Sequence, residues 1–167
     1  MHIRPAQATD VDAIHALIVE LAVYERAPNA VQLTPEQLRV DGFGPQPLYR
    51  CWVAEHQHNI VGMALCYPRY STWKGLTWHL EDLIVTQAQR GQGFGKALMH
   101  AFLAFACDQQ AQRAEWHVLD WNQSAIDFYR HLGASLLEDW RLVRMDQQAL
   151  MDWQQQQRSV QSTHNSR

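Results

Sequence analysis

The sequence predicts one α+β domain built on a mixed sheet, and three features carry that reading. Two β-rich runs, "YRCWVAEH" and "NIVGMALCYPRY", flank the polar pair Gln57-His58 in the pattern of an antiparallel hairpin. A third such run, "TWHLEDLIVT", leads through a glycine-rich stretch into an amphipathic helix. Two helix-start signals precede all of these.

Each element follows in order. "MHIRPA" is short and extended before Pro5 and reads as a strand. Thr9 opens T-D-V-D, a capping-box pattern with Asp12 at the third helical position. Val11, Ile14, Leu17, Ile18 and Leu21 then recur at helical spacing, so residues 10–25 form an amphipathic helix. "TPEQL" repeats the start signal, with Thr34 as cap, Pro35 at the first helical position and Gln37 closing the box. That helix ends by the "DGFG" turn at 41–44. The hairpin comes next, then the loop "STWKG" and the third strand. Beyond the glycines, Leu98, Ala101, Phe102, Phe105 and Ala106 mark one helix face. "RAEWHVLDW" reads as a strand. "NQSAIDFYRHLG" reads as a helix capped by Asn122 or Ser124 and stopped by Gly133. "SLLEDWRLVRMD" is the expected last strand. Residues 1–150 make a single domain on this reading, and 151–167 a polar, flexible segment with no apolar period.

At 167 residues, 47% hydrophobic and 19% charged, the chain can bury a core of its own. The net charge of −3 and the lack of a basic stripe argue against nucleic acid as a partner. No apolar stretch is long enough for a bilayer and "MHIRPAQATD" lacks a signal-peptide core, so a cytoplasmic, membrane-free protein is expected. Cys51, Cys66 and Cys107 are odd in number and far apart, and read as reduced core thiols. His56 and His58 sit at the hairpin tip with no third ligand in the sequence nearby, so no metal is expected.

"QRGQGFGKAL" at 89–98 is the stretch that points to chemistry. A strand running into Gly91-Gln92-Gly93-Phe94-Gly95 and then a helix presents free N–H groups at a positive helix end, which suits a phosphate or pyrophosphate. Arg90 and Lys96 can add charge at the rim. The Walker A loop does not fit, since only three residues separate Gly91 from Gly95 and Ala97 follows Lys96. The dinucleotide fingerprint fails too, with Lys96 where its last glycine belongs. Alone, the stretch can also be read as a flexible strand–helix turn.

Arg90-Gly91-Gln92-Gly93-Phe94-Gly95 resembles the R/Q-x-x-G-x-G/A signature of the GNAT N-acetyltransferases. The element order matches as well. "HLEDLIV", "EWHVLDWNQSAIDFYRHLGAS", "DWRLVRMD", "IRPA", "ELAVYE", "DGFG" and "VAEH" are similar to the diamine branch, the spermidine/spermine-type and thialysine acetyltransferases. The resemblance spans about residues 3–146. It implies the GNAT fold, a mostly antiparallel mixed sheet with helices on both faces, together with acetyl-CoA as cosubstrate and a homodimer.

The resemblance also implies roles. Glu81 would be the base, through a water, and Tyr129 the acid for the departing thiolate. Leu83, Ile84 and Val85 would hold the pantetheine arm by backbone groups, and Arg90 through Lys96 the pyrophosphate. Asn122 and Ser124 would lie beside the coenzyme, though both are equally readable as helix caps. Tyr24, Glu25, Asp82 and Glu138 would line the channel for an amine. Physical chemistry asks for such groups, since an amine near pKa ~10 must lose a proton before it attacks a thioester. Strand alternation would send Glu81 and Asp82 to opposite faces unless a bulge intervenes. Otherwise Glu81 is a solvated edge carboxylate paired with a base such as His79.

The expected reaction is acetyl transfer to the primary amine of a small cation, a diamine, polyamine, thialysine or lysine-like amino acid, by direct attack in a ternary complex. The sequence departs from the polyamine pattern at "RAPNAV", where Arg26 stands and carboxylates are missing, which favours a shorter substrate. Two other readings stay open at this point: a non-catalytic acyl-CoA-binding module on the same fold, and a protein or peptide N-acetyltransferase.

Overall fold

Of this chain, the computed structural model describes residues 1–164, with side chains through Arg158. Residues 165–167, the end of the segment expected to be polar and flexible, lie outside the described residues. Two compact units divide the chain, Met1–Leu119 and Asp120–Arg167.

The first unit holds a five-stranded sheet in the order β1 (His2–Pro5), β2 (Arg50–His56), β3 (Asn59–Ser71), β4 (Gly75–Val85) and β5 (Arg113–Trp116). Neighbours are antiparallel up to β4, and β5 joins β4 in parallel. The change of direction follows from the connections. Gln57 and His58 turn β2 into β3 with positive φ at both positions, the conformation that matches the twist of a two-residue hairpin. A parallel neighbour needs a crossover instead, and α3 (Phe94–Asp108) supplies it.

Helices cover both faces. Val11, Ile14 and Leu17 of α1 (Val11–Tyr24) and Leu38 of α2 (Pro35–Phe43) pack with Cys51, Val53, Met63, Leu65 and Ile84. Alternation turns Trp52 and Trp78 the other way, where both meet Phe105 of α3, at 5.0 and 4.7 Å between ring centroids. Full burial of a side chain such as Ile14 or Phe102 contributes about 1.5–3 kcal/mol each. Gly62 lets both β4 and α3 come close: an added Cβ would lie 2.7 Å from the Ile84 carbonyl oxygen of β4 and 3.2 Å from Leu98 Cδ1 of α3.

Helix starts differ from expectation in detail. Thr34 caps α2 as read, accepting from Gln37 N at 3.2 Å, but the Gln37 amide reaches forward to Asp41 rather than back to close a box. At α1 the box is formed by Gln7 and Asp10 on a preceding 3-10 turn, Ala8–Asp10, not by Thr9 and Asp12. Arg4 of β1 decides this, because its guanidinium grips Asp10 through two bonds of 2.6 and 3.0 Å. A third correction concerns Cys107. Cys51 and Cys66 are buried, whereas Cys107 is exposed, because it falls one residue past the buried Leu98–Phe102–Ala106 stripe of α3.

The second unit contains α4 (Gln123–His131) and α5 (Gln147–His164). Residues 135–146, expected as the last strand, have no ladder partner among the described residues and form no strand. Leu137, Trp140, Leu142, Val143 and Met145 along this stretch are exposed. "RAEWHVLDW" yields a strand only over Arg113–Trp116. The polar segment after 150, by contrast, is helical through His164, and Asp146 starts it by accepting from Ala149 N at 2.9 Å.

Candidate active site

From Thr77 to Leu80, β4 lies between β3 and β5. Past Leu80 it pairs, among the described residues, with β3 alone, because β5 ends at Trp116, opposite Leu80. Alternate N–H and C=O groups over Glu81–Val85, the stretch that holds Leu83, Ile84 and Val85, therefore face an edge that β5 has left. Arg90 Nε donates to the Val85 carbonyl there at 2.9 Å, and its guanidinium lies 4.8 Å over the Tyr24 ring. Arg90 is thus anchored to the end of β4 and to α1.

The same point of the strand carries a bulge. Leu80 faces Cys66 and Asp82 faces Leu65, so Glu81 has no residue opposite it. Strict alternation would have separated Glu81 from Asp82; the extra residue lets both share surroundings with Glu25, the C-cap of α1. Burial, then the Glu81 and Glu25 carboxylates, push Asp82 up to about 7. Burial, then Glu81, raises Glu25. Acids raised in this way are ones whose charge is costly without a cation to meet it. Tyr24, Glu25, Glu81, Asp82 and Arg90 are brought together at this end of β4.

Gly91 and Gly93 are both left-handed, at φ 77° and 86°. Each conformation is cheap for glycine and strained for other residues. Together they turn the chain so that α3 begins at Phe94. Among the described residues, no backbone carbonyl accepts from the N–H groups of Gly91 through Lys96. These donors and the positive end of a 15-residue helix form a cradle for an anion. Nothing lies within 4 Å of a Cβ added at Gly91, so the loop is open on that side. Gln92 bonds Gln89 through its side chain, leaving its main chain to the cradle, and Lys96 is exposed. The loop fits a diphosphate by the chemistry of its donors.

The second unit carries the remaining expected residues. Asn122 caps α4, accepting from Ala125 N at 3.3 Å, and Ser124 Oγ donates to Asn122 at 3.1 Å, so the capping reading accounts for both. Tyr129 is buried beside Phe128, ring centroids 5.3 Å apart, and burial pushes its phenol up to about 12. Glu138 is exposed in the irregular stretch before α5.

Sequence reasoning passed over Tyr67 as a functional residue and gave His79 no part beyond that of a pairing base. Both flank Glu81. Burial first, then the charge of Glu81 and hydrogen bonding with it, raise the Tyr67 phenol. His79 Nε2 lies 3.7 Å from Glu81 Oε2. The i, i+2 spacing of His79 and Glu81 on one strand was the available signal. No group of three or more His, Cys, Asp or Glu side chains suited to a metal occurs among the described residues, His56 and His58 included.

Comparison with known proteins bears on these groups together. Residues 13–134 match the model of the acetyltransferase (GNAT) family. A thialysine N-epsilon-acetyltransferase of Bos taurus is 39% identical over 161 residues, covering 90% of this chain and 95% of its own. A spermidine/spermine N(1)-acetyltransferase-like protein 1 of Homo sapiens is 37% identical over 160 residues, 90% of this chain and 23% of that longer protein. Among solved structures, the tetramutant of the BH1408 protein from Bacillus halodurans shares the fold, with a TM-score of 0.69 at 23% identity, covering 87% of this chain and all of that one. The open strand edge, the glycine cradle and these likenesses agree, and the chain belongs to the GNAT family of acetyl-CoA-dependent N-acetyltransferases.

Proposed function

We propose that this enzyme acetylates the primary amine of a small cationic substrate by direct attack within a ternary complex. The observation that carries the reading is the gathering of Glu25, Glu81 and Asp82 at the bulge, beside the open edge of β4. Glu25 and Asp82, raised by burial and by neighbouring carboxylate charge, are relieved by a cation.

On this reading, acetyl-CoA lies along the open edge. Leu83, Ile84 and Val85 bind its pantetheine arm through their main chain, and Arg90, Gly91, Gln92, Gly93, Phe94, Gly95 and Lys96 enclose its pyrophosphate. Asn122 and Ser124 are assigned to the coenzyme by the family resemblance alone. Tyr24, Glu25, Asp82 and Glu138 receive the ammonium group. Glu81 removes its proton through a water, the freed amine attacks the thioester carbon, and a main-chain amide of β4 polarises the carbonyl oxygen. As the C–S bond breaks, Tyr129 passes its proton to the thiolate and regains one from the acetylated nitrogen. The Tyr129 phenol, raised to about 12 by burial, holds its proton at neutral pH and is available as that acid. Burial raises the thiols of Cys51 and Cys66 and leaves them protonated, which argues against either as a covalent nucleophile.

The names of the relatives favour thialysine and polyamines as acceptors. Arg26, following Glu25 where further acids would serve a long polyamine, favours the shorter ones: thialysine, lysine or a small diamine. We also place the enzyme in the cytoplasm as a homodimer, with the exposed apolar stretch from Leu137 to Met145 as its contact surface. Thiol release from acetyl-CoA, measured with a panel of amines, tests the function. Release with thialysine, lysine or a short diamine above that with spermine is expected; no release with any small primary amine would overturn the proposal.

A further inference from the structure

His79 is buried on β4, with 4% of its side chain exposed, yet among the described residues neither of its ring nitrogens makes a hydrogen bond, and Nδ1 is fully enclosed. An apolar ring would fill the same space without enclosing an unpaired nitrogen. What the imidazole adds is a polar edge between two carboxylates on adjoining strands: Nε2 is 3.7 Å from Glu81 Oε2, and Nδ1 is 3.9 Å from Glu115 Oε1 of β5.

The surroundings decide which nitrogen is free to donate. Glu115 Oε1 already accepts from Arg69 Nη1, and Glu115 Oε2 lies 3.0 Å from Arg113 Nε. Glu81, contacted otherwise by the Tyr67 phenol, is the carboxylate of the two that no guanidinium among the described residues holds. Two further rings fix the imidazole plane, Tyr67 from β3 at 5.1 Å and His117 just beyond β5 at 5.0 Å. The charged and titratable groups around the ring are therefore Tyr67, Arg69, Glu81, Arg113, Glu115 and His117. Burial first, then His117, lower its proton affinity against the pull of the two carboxylates, so the ring is neutral at pH 7 with one proton to donate.

We propose that His79 is a positioning residue for Glu81, donating from Nε2 to the carboxylate during turnover and holding it ionised and turned to the substrate amine. At 3.7 Å the two groups are within reach of each other, and catalytic hydrogen bonds are often long before the Michaelis complex tightens them. This inference rests on Glu81 being the base.

The test compares His79→Phe, which keeps a ring and loses the donor, with His79→Gln, whose amide nitrogen reaches the place of Nε2. Each is made with and without Glu81→Gln, and kcat/KM is followed from pH 5 to 10. His79→Phe should lower kcat about tenfold or more at pH 7 and move the acidic limb up by about one pH unit, with KM for acetyl-CoA unchanged. His79→Gln should restore most of the loss. In the Glu81→Gln background His79→Phe should add nothing, since the two residues act as one unit. An equal loss in both backgrounds, or an unmoved acidic limb, would reduce His79 to a packing residue and overturn the proposal. Full activity of Glu81→Gln alone would remove the base assignment itself, and this inference with it, before any His79 variant is measured.

Discussion

Between Thr77 and Leu80, strand β4 is flanked by β3 and β5, and four successive side chains are buried. Between Glu81 and Val85 the same strand keeps only β3, and it carries two carboxylates at a bulge. One chain of eleven residues thus passes from a stretch held on both sides to a stretch whose free edge is available to a ligand. The lesson is about division of labour: full pairing fixes where the strand lies, and the loss of one neighbour exposes main-chain groups that a peptide-like arm can use.

Substitutions on the two halves should therefore fail differently. Glu81→Gln lies in the open half, and 53% of its side chain is exposed. It should lower kcat/KM at pH 7 by about 10²–10⁴-fold with the melting temperature nearly unchanged. Leu80→Ala lies in the paired half, with Leu80 only 2% exposed. It should cost about 2–5 kcal/mol of stability in denaturant unfolding, while activity per folded molecule stays close to normal. If Leu80→Ala instead abolished turnover in fully folded protein, the boundary between the halves would be misplaced.

Gly93→Ala moves the comparison to the cradle. Its φ of 86° suits glycine, and a Cβ there adds strain of about 1–2 kcal/mol. We expect a raised KM for acetyl-CoA and an unaltered KM for the amine. Equal rises in both would mean that the loop serves the whole site rather than the diphosphate.

The smallest effect is expected from pH. Asp82 has its folded pKa raised to about 7 from an ordinary carboxylate value of 3.8. Its contribution to stability is therefore present below the ordinary value and is lost as pH rises through about 7. Charge for binding a cation appears over that same rise. Asp82→Asn should melt higher than the parent at pH 8 and no higher at pH 4, and its amine KM should lose the fall that the parent shows between pH 6 and 8. A parent whose amine KM is flat over that range would remove Asp82 from the binding of the cation.

Local signals explain why much of the fold was legible in the sequence. The hairpin turn at Gln57-His58, the cap at Thr34 and the apolar face of α3 each depend on residues a few positions apart. The errors arose where distant residues decide. Arg4 draws Asp10 into the box at α1, which no pattern around Thr9 reveals. "SLLEDWRLVRMD" has the composition of a strand, but a strand exists only with a neighbour to bond, and none of the described strands provides one. No apolar period marks α5; its glutamines favour helix by propensity and Asp146 supplies the start. In the candidate site, the glycine loop was readable because glycine at positive φ leaves a mark in the sequence. The bulge left none, since register is a property of two strands, and with it went the reason that Glu81, Asp82 and Glu25 meet.

The base assignment is tested most directly by the pH dependence of the Glu81→Gln deficit. If Glu81 removes the ammonium proton, solvent takes over that task as pH approaches the substrate pKa near ~10. The ratio of parent to variant kcat/KM should then shrink steadily from pH 7 to 10. A ratio that stays constant across this range would contradict the account.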